Sequence, residues 1–246
     1  MSKQVYAIFG ASGGIGSCLS ELIAKLGHTV YLLGRNEEKL KSLSQKLSQP
    51  YLVVDPLSEA SVDSVLSSIV KNGQSLDGVA SCIGSFYVKP MQMTSLKDFE
   101  DVIRVNLFSS FCILKSAAHL MAEKRRGSIV LCSSTAALTG LASHEAISSA
   151  KGAISSLVRS AAASYAPKGV RINAVAPGLT RTPLSHALTS NEAVLKASTA
   201  FHPLGRIGEP EDIAQGIFWL LSDQSSWVTA ETLAIDGGLS SLKVKN

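Results

Sequence analysis

No stretch of this chain restricts its fold more than the first crossover. There an apolar run ending in Phe9 meets Gly10-Ala11-Ser12-Gly13-Gly14-Ile15-Gly16. Gly10 permits a tight turn after a strand. Gly14 and Gly16 let a following helix come close to the sheet and to an anion, and the unpaired amides at the helix start face that anion. A glycine-rich turn alone is weak evidence. One lying between a strand and a helix has the context that a nucleotide-binding loop requires. Gly10, Ser12, Gly13, Gly14, Ile15 and Gly16 are therefore candidate cofactor contacts.

The alternation begun there continues through the chain. Strands are expected at residues 4–9, 29–33, 51–54, 79–83, 128–132, 171–175 and 232–235. Helices are expected at 15–26, 37–47, 62–70, about 96–123 in one or two pieces, 145–165 and 211–221. Periods near 2 alternating with periods near 3.6 predict an α/β fold. This is a three-layer Rossmann fold, a doubly wound seven-stranded parallel sheet with helices on both faces. Several strands are apolar throughout, as a sheet covered on both sides requires. No linker, repeat or low-complexity tract interrupts residues 1–246, so one NAD(P)-binding domain is expected. Residues 181–208 read as a loop whose middle, 184–200, suits a short amphipathic lid beyond the carboxyl ends of the strands.

Bulk properties narrow the classes. With 46% hydrophobic residues the chain is no disordered segment. Its net charge of +4 calls for no nucleic-acid partner, and Lys124-Arg125-Arg126 reads as a solvated turn. Four widely spaced cysteines, Cys18, Cys82, Cys112 and Cys132, suit core thiols in a reducing compartment rather than a disulfide framework or a metal site. The start shows no secretion signal, and no uninterrupted apolar run approaches the length of a membrane span. A cytoplasmic protein is expected.

The second strand ends in Leu33-Gly34-Arg35. An acidic residue there would hold the ribose hydroxyls of NAD, whereas Gly34 leaves space and Arg35 offers a cation. The pattern favours a 2′-phosphate, hence NADP(H). Asp55, after the third strand, is placed either to accept from the adenine amino group or to cap the turn at Pro56.

These residues and others along nearly the whole chain resemble the short-chain dehydrogenase/reductase family. The pattern is closest to its 3-oxoacyl-carrier-protein reductase branch. The resemblance implies that Gly10–Gly16 and Gly84 bind cofactor and that Pro177, Gly178, Thr180 and Thr182 embrace its nicotinamide and pyrophosphate. It implies that Asn106 holds a proton-relay water, Ser134 steadies the substrate oxygen, and Lys151 grips the nicotinamide ribose. A homodimer or homotetramer built partly on helix 145–165 is implied as well.

Two departures stand out. The family's Asn-Asn-Ala-Gly after strand four reads Ser81-Cys82-Ile83-Gly84 here. Ile147 occupies the slot one helical turn before Lys151, where the family places the tyrosine that protonates the carbonyl oxygen. Removing a general acid typically lowers a rate about 10²- to 10⁴-fold. His144, just ahead of that helix, is the nearest substitute acid or else a loop residue; Tyr87 is a more distant candidate. Glu145 suits the helix start by charge. His28, His119 and His202 have no comparable placement. A lysine without the tyrosine, together with Ser222-Asp223-Gln224-Ser225-Ser226-Trp227, also resembles the 2,4-dienoyl-CoA reductase branch. The tyrosine which that branch carries after strand five is absent from Thr135-Ala136-Ala137. Ser133 is expected to point away from Ser134. Phe86, Tyr87, Met91, Leu184 and Phe201 are candidates for an apolar substrate wall or for plain core.

Two functional expectations follow. One is an NADP(H)-dependent oxidoreductase of a small apolar carbonyl or enone, with a non-standard or missing proton donor. The other is a catalytically impaired nucleotide-binding homologue serving as sensor, subunit or scaffold.

Overall fold

The computed structural model describes residues 3–71 and 75–243. Among them, β1 (Val5–Phe9), β2 (Thr29–Gly34), β3 (Tyr51–Val53), β4 (Gly78–Ser81), β5 (Gly127–Cys132), β6 (Val170–Pro177) and β7 (Thr232–Ile235) form one sheet. Its order is β3-β2-β1-β4-β5-β6-β7, and every pairing is parallel. The helices are α1 (Gly14–Lys25), α2 (Glu37–Leu47), α3 (Glu59–Lys71), α4 (Leu96–Ile103), α5 (Ser109–Lys124), α6 (Glu145–Tyr165), α7 (His186–Thr189), α8 (Glu192–Ala200) and α9 (Pro210–Leu221).

β1 shows why the strands are apolar on both sides. Val5, Ala7 and Phe9 enter a core shared with Ile113, Met121, Ile154 and Val158 of α5 and α6. Tyr6 and Ile8 point the other way, into a core with Leu19, Ile23, Ile213 and Ile217 of α1 and α9. Burying each such side chain contributes about 1.5–3 kcal/mol, so polar substitution on either face of β1 would unseat a helix layer. β1 pairs with β2 on one side and β4 on the other. The chain leaves the ends of β1 and β4 toward opposite faces, which opens a crevice there.

Expected and observed elements differ mainly at their ends. β4 stops at Ser81, because Ile83 and Gly84 already turn out of the sheet toward α6. The long helix is two α-helices joined through a π-helical turn, Arg104–Phe108. Ser95 caps α4 by accepting from the Asp98 amide at 3.1 Å. By length and composition Leu96–Lys124 would suit a bilayer, yet half of its most apolar stretch is buried within the fold. The basic turn is as expected: α5 ends at Lys124, and Arg125 adopts φ 50°. Of the expected lid, a 3-10 turn, α7 and α8 are formed, and no residue of α8 is fully buried.

Candidate active site

The glycine turn lies over the carboxyl end of β1. Gly10 has φ +76°, donates to the Leu33 carbonyl at 2.9 Å, and leaves no room for a side chain beside the Cys82 backbone. Gly13 is the N-cap of α1 and brings no side-chain cap, so the first amides of the helix stay available to an anion. Gly16 is buried against the Gly10 carbonyl, and Ile15 packs on the core beneath the loop. Ser12 Oγ makes no hydrogen bond with any described residue. It lies 3.9 Å from the point where a Cβ on Gly34 would sit. Arg35, next along, is exposed and forms no ion pair among the described residues. A free hydroxyl, free amides and a free guanidinium thus border one end of the crevice, a donor set that fits phosphate groups.

Asp55 Oδ1 accepts from the Leu57 amide at 3.0 Å. The turn-capping alternative is therefore realised, which leaves Oδ2 as the free acceptor. Thr182 closes the other side of the glycine turn, its methyl set against Gly14. Thr182 Oγ1 also accepts from the Ser185 amide at 3.3 Å, which orders the segment running on from Pro177. Pro177 is the last residue of β6, paired with Ile235. Thr180 is buried and donates to the Gly178 carbonyl at 3.0 Å.

At the middle of the crevice Lys151 is buried, and its Nζ donates to the Cys132 carbonyl at 2.7 Å. Burial holds the ammonium below its ordinary pKa, partly opposed by the nearby Cys132 and Cys82 thiols. Burial in turn pushes both thiols up. A Cβ on Gly84 would lie 3.3 Å from Lys151 Nζ and 3.1 Å from Asn106 Oδ1, so these three residues meet at one point. Asn106 sits in the π-helical turn, fully buried. Its Nδ2 donates to the Val102 carbonyl and to Ser85 Oγ, each at 2.8 Å, and its Oδ1 accepts from the Ser85 amide at 3.2 Å.

Ser134 is half-buried at the end of β5, where its Oγ accepts from the Ala136 amide at 3.2 Å and keeps its own proton to donate. Ser133 points the other way, as expected, donating to the Lys151 carbonyl at 2.9 Å. Ile147 is 7% exposed and packs with Val102, Ala146 and Ala150, flanked by Tyr87 and Ile103. The position one turn before Lys151 is thus hydrocarbon among hydrocarbon.

The candidate replacement acids are bonded to other groups. His144 Nδ1 bonds the Ala142 carbonyl at 2.8 Å, within its own turn. Tyr87 donates to Thr94 Oγ1 at 3.3 Å. The hydroxyls of Tyr6 and Tyr51 are held by Gln4 and Glu37, and the Tyr165 ring lies under Lys168. One carboxylate oxygen of Glu145 is buried without a partner. Of the proposed substrate wall, Phe86, Met91, Leu184 and Phe201 are exposed rather than core.

Sequence reasoning passed over His202 and Asp236. His202 is buried with both ring nitrogens bonded. Asp236 Oδ2 accepts from Thr135 Oγ1 at 2.8 Å, tying the turn after Ser134 to the end of β7.

A family model described as enoyl-(acyl carrier protein) reductase matches residues 10–240. The chain is 32% identical over 245 residues to 3-oxoacyl-[acyl-carrier-protein] reductase FabG of Rickettsia felis, covering 97% of this chain and 98% of that protein. A short-chain type dehydrogenase/reductase from Mycobacterium ulcerans superposes with TM-score 0.93 at 29% identity, over 98% of this chain and 91% of that one. ElxO with NADP bound superposes with TM-score 0.92 at 29% identity, over 98% of this chain and 100% of that one.

Proposed function

This chain belongs to the short-chain dehydrogenase/reductase family, and from that premise we propose that it is an NADP(H)-dependent oxidoreductase acting on an apolar enone or carbonyl. The observation that carries the reading is the buried Lys151 ammonium meeting Gly84 and Asn106 while bonded to the Cys132 carbonyl, two residues before Ser134. A lone buried cation that a backbone carbonyl only partly satisfies has donors left for ribose hydroxyls. The free Arg35 guanidinium and Ser12 hydroxyl support NADP(H) over NAD(H), as does the NADP-bound relative.

When bound, the nicotinamide supplies or takes the hydride. The chain's own residues do the rest. The amides of α1, Ser12 and Thr182 hold phosphates; Asp55 Oδ2 accepts from the adenine. Pro177, Gly178 and Thr180 line the nicotinamide side, and Lys151 fixes the ribose. Ser134 donates a hydrogen bond to the oxygen on which negative charge develops. Ile147 cannot then protonate that oxygen.

This absence favours an enone over a simple ketone. Hydride arriving at the β-carbon breaks the carbon–carbon double bond and leaves an enolate. Its charge is spread over carbon and oxygen, so protonation can follow from water at the α-carbon. A ketone would leave a localised alkoxide with no adjacent acid.

A specific observation favours the second reading. The sealed packing of Ile147 against Val102, Ala146 and Ala150 suits a nucleotide-binding homologue without ordinary turnover, acting as sensor, subunit or scaffold. Steady-state assay of NADPH oxidation over a panel of enones and ketones separates the two. Turnover confined to enones supports the first reading. NADPH binding without turnover on any of them supports the second.

We read the chain as one domain that self-associates. Phe99, Phe108 and Phe111 stand exposed on the α4–α5 helix, and Gly152 of α6 has open space above it. Light scattering tests for a dimer or tetramer. The four free thiols, buried or half-buried, suit a reducing compartment such as the cytoplasm.

A further inference from the structure

We propose that His202 is a positioning residue that couples the lid helix α8 to the nicotinamide-facing segment Pro177–Thr182, which makes lid order depend on bound cofactor. The inference rests on the cofactor site proposed above. It starts from a contrast in burial. α8 has no fully buried residue, and Phe201, directly after it, is 68% exposed, whereas His202 is 4% exposed. The imidazole is therefore the side chain that anchors the end of the lid.

Its two nitrogens face two different elements. Nδ1 bonds the Ser198 carbonyl of α8 at 2.7 Å, and Nε2 bonds the Leu179 amide at 3.2 Å. A carbonyl can only accept and an amide N–H can only donate. Nδ1 must then carry the proton and Nε2 the lone pair, which fixes one neutral tautomer. The segment contacted is the one that holds Gly178 and Thr180.

Gly178 is shaped for this ring. A Cβ there would lie 2.8 Å from His202 Nε2 and 2.9 Å from Asp236 Cα. The glycine thus makes room for the imidazole from one side, whatever it also leaves for cofactor on the other. The turn after His202 is docked independently, by the Leu204 amide on the Gly237 carbonyl at 3.1 Å. Movement of α8 is in this way transmitted to Leu179 through one ring.

Two substitutions cut the bridge at opposite ends. The amide nitrogen of His202→Asn can stand in for Nδ1, keeping Ser198 and losing Leu179. The amide oxygen of His202→Gln can stand in for Nε2, keeping Leu179 and losing Ser198. Each variant keeps a polar side chain with one partner, so both are suited to fold if either does. The readouts are NADPH affinity by fluorescence titration and amide hydrogen exchange of residues 192–200 with and without NADPH.

NADPH is expected to slow exchange of 192–200 in the parent protein. In both variants that slowing is lost, and NADPH binds about tenfold more weakly, the effect of one hydrogen bond. Variants that bind within twofold of the parent and slow lid exchange equally would overturn the coupling while leaving the cofactor site standing. A parent protein that binds neither NADPH nor NADH would overturn both.

Discussion

Lys151 Nζ and the Cys132 carbonyl oxygen are 2.7 Å apart, and this contact places a buried cation at the centre of the crevice. A charge in that position costs stability even when hydrogen-bonded, because one carbonyl replaces a full hydration shell. Its retention in a strand–helix seam otherwise lined by Cys82, Cys132 and Ser133 points to use rather than to packing.

The first prediction follows from that cost. Lys151→Met removes the charge and keeps the volume. Its thermal midpoint is expected to equal or exceed that of the parent at neutral pH, while NADPH binds at least about tenfold more weakly. The folded-state pKa of Lys151 is lowered from 10.5. Between that lowered value and 10.5 the unfolded chain holds the proton that the folded chain has shed, so the parent gains stability as pH rises. The advantage of the variant should therefore be full below the folded pKa and shrink as pH climbs toward 10.5. Thermal scans from neutral to alkaline pH check it; a lower midpoint for Lys151→Met at neutral pH would count against it.

Ile147→Tyr is expected to raise ketone reduction about 10²- to 10⁴-fold by restoring an acid one turn from Lys151. The larger ring must displace contacts with Val102 and Ala150, at about 1–3 kcal/mol of stability. Denaturant midpoints and kcat on a ketone panel measure the two effects together. A folded variant with no gain on any ketone would mean that the pocket, and not the acid alone, has diverged.

The glycine turn, the strand–helix alternation and the one-turn relation of Ile147 to Lys151 were all legible in the sequence. Each is a local pattern with a fixed period. The contacts that hold the site together were not. Asn106 takes the Val102 carbonyl within a π-helical turn that hydrophobic periodicity does not register. Thr135 meets Asp236 across 101 residues, and His202 meets Leu179 across 23. Such contacts depend on how layers stack, so neither partner carries a local signature. The lid was visible as an amphipathic stretch, but its anchor was not. A histidine beside a proline in a turn looks the same whether buried or exposed.

Arg35→Ala should weaken NADPH roughly 10- to 100-fold, the range of a lost charge-assisted hydrogen bond, and leave NADH within about twofold. Arg35 is exposed, and the substitution removes no hydrogen bond or ion pair among the described residues. Paired titrations with the two cofactors decide it. Equal losses for both would remove Arg35 from the 2′-phosphate site.

Thr135→Val tests the tie between the turn after Ser134 and the end of β7. Burial pushes the Asp236 carboxyl up, but hydrogen bonds from Ser240, Thr135 and Gly238 outweigh it and leave the group below its ordinary 3.8. A carboxylate lowered on folding stabilises the protein above its unfolded pKa, and that contribution is lost as pH falls through the folded value. Without the threonine hydroxyl the folded pKa rises toward 3.8, so acid unfolding begins at higher pH. At neutral pH the change should cost about 1.5–3 kcal/mol, the worth of a hydrogen bond to a charged group. The turn holding Ser134 also loosens, so kcat should fall more than NADPH affinity. Acid-titration and urea curves test the first two effects, and kinetics beside NADPH titration the third. A loss of stability of the same size at neutral pH and in acid, below the folded pKa of Asp236, would show that the hydroxyl serves packing and not the carboxylate.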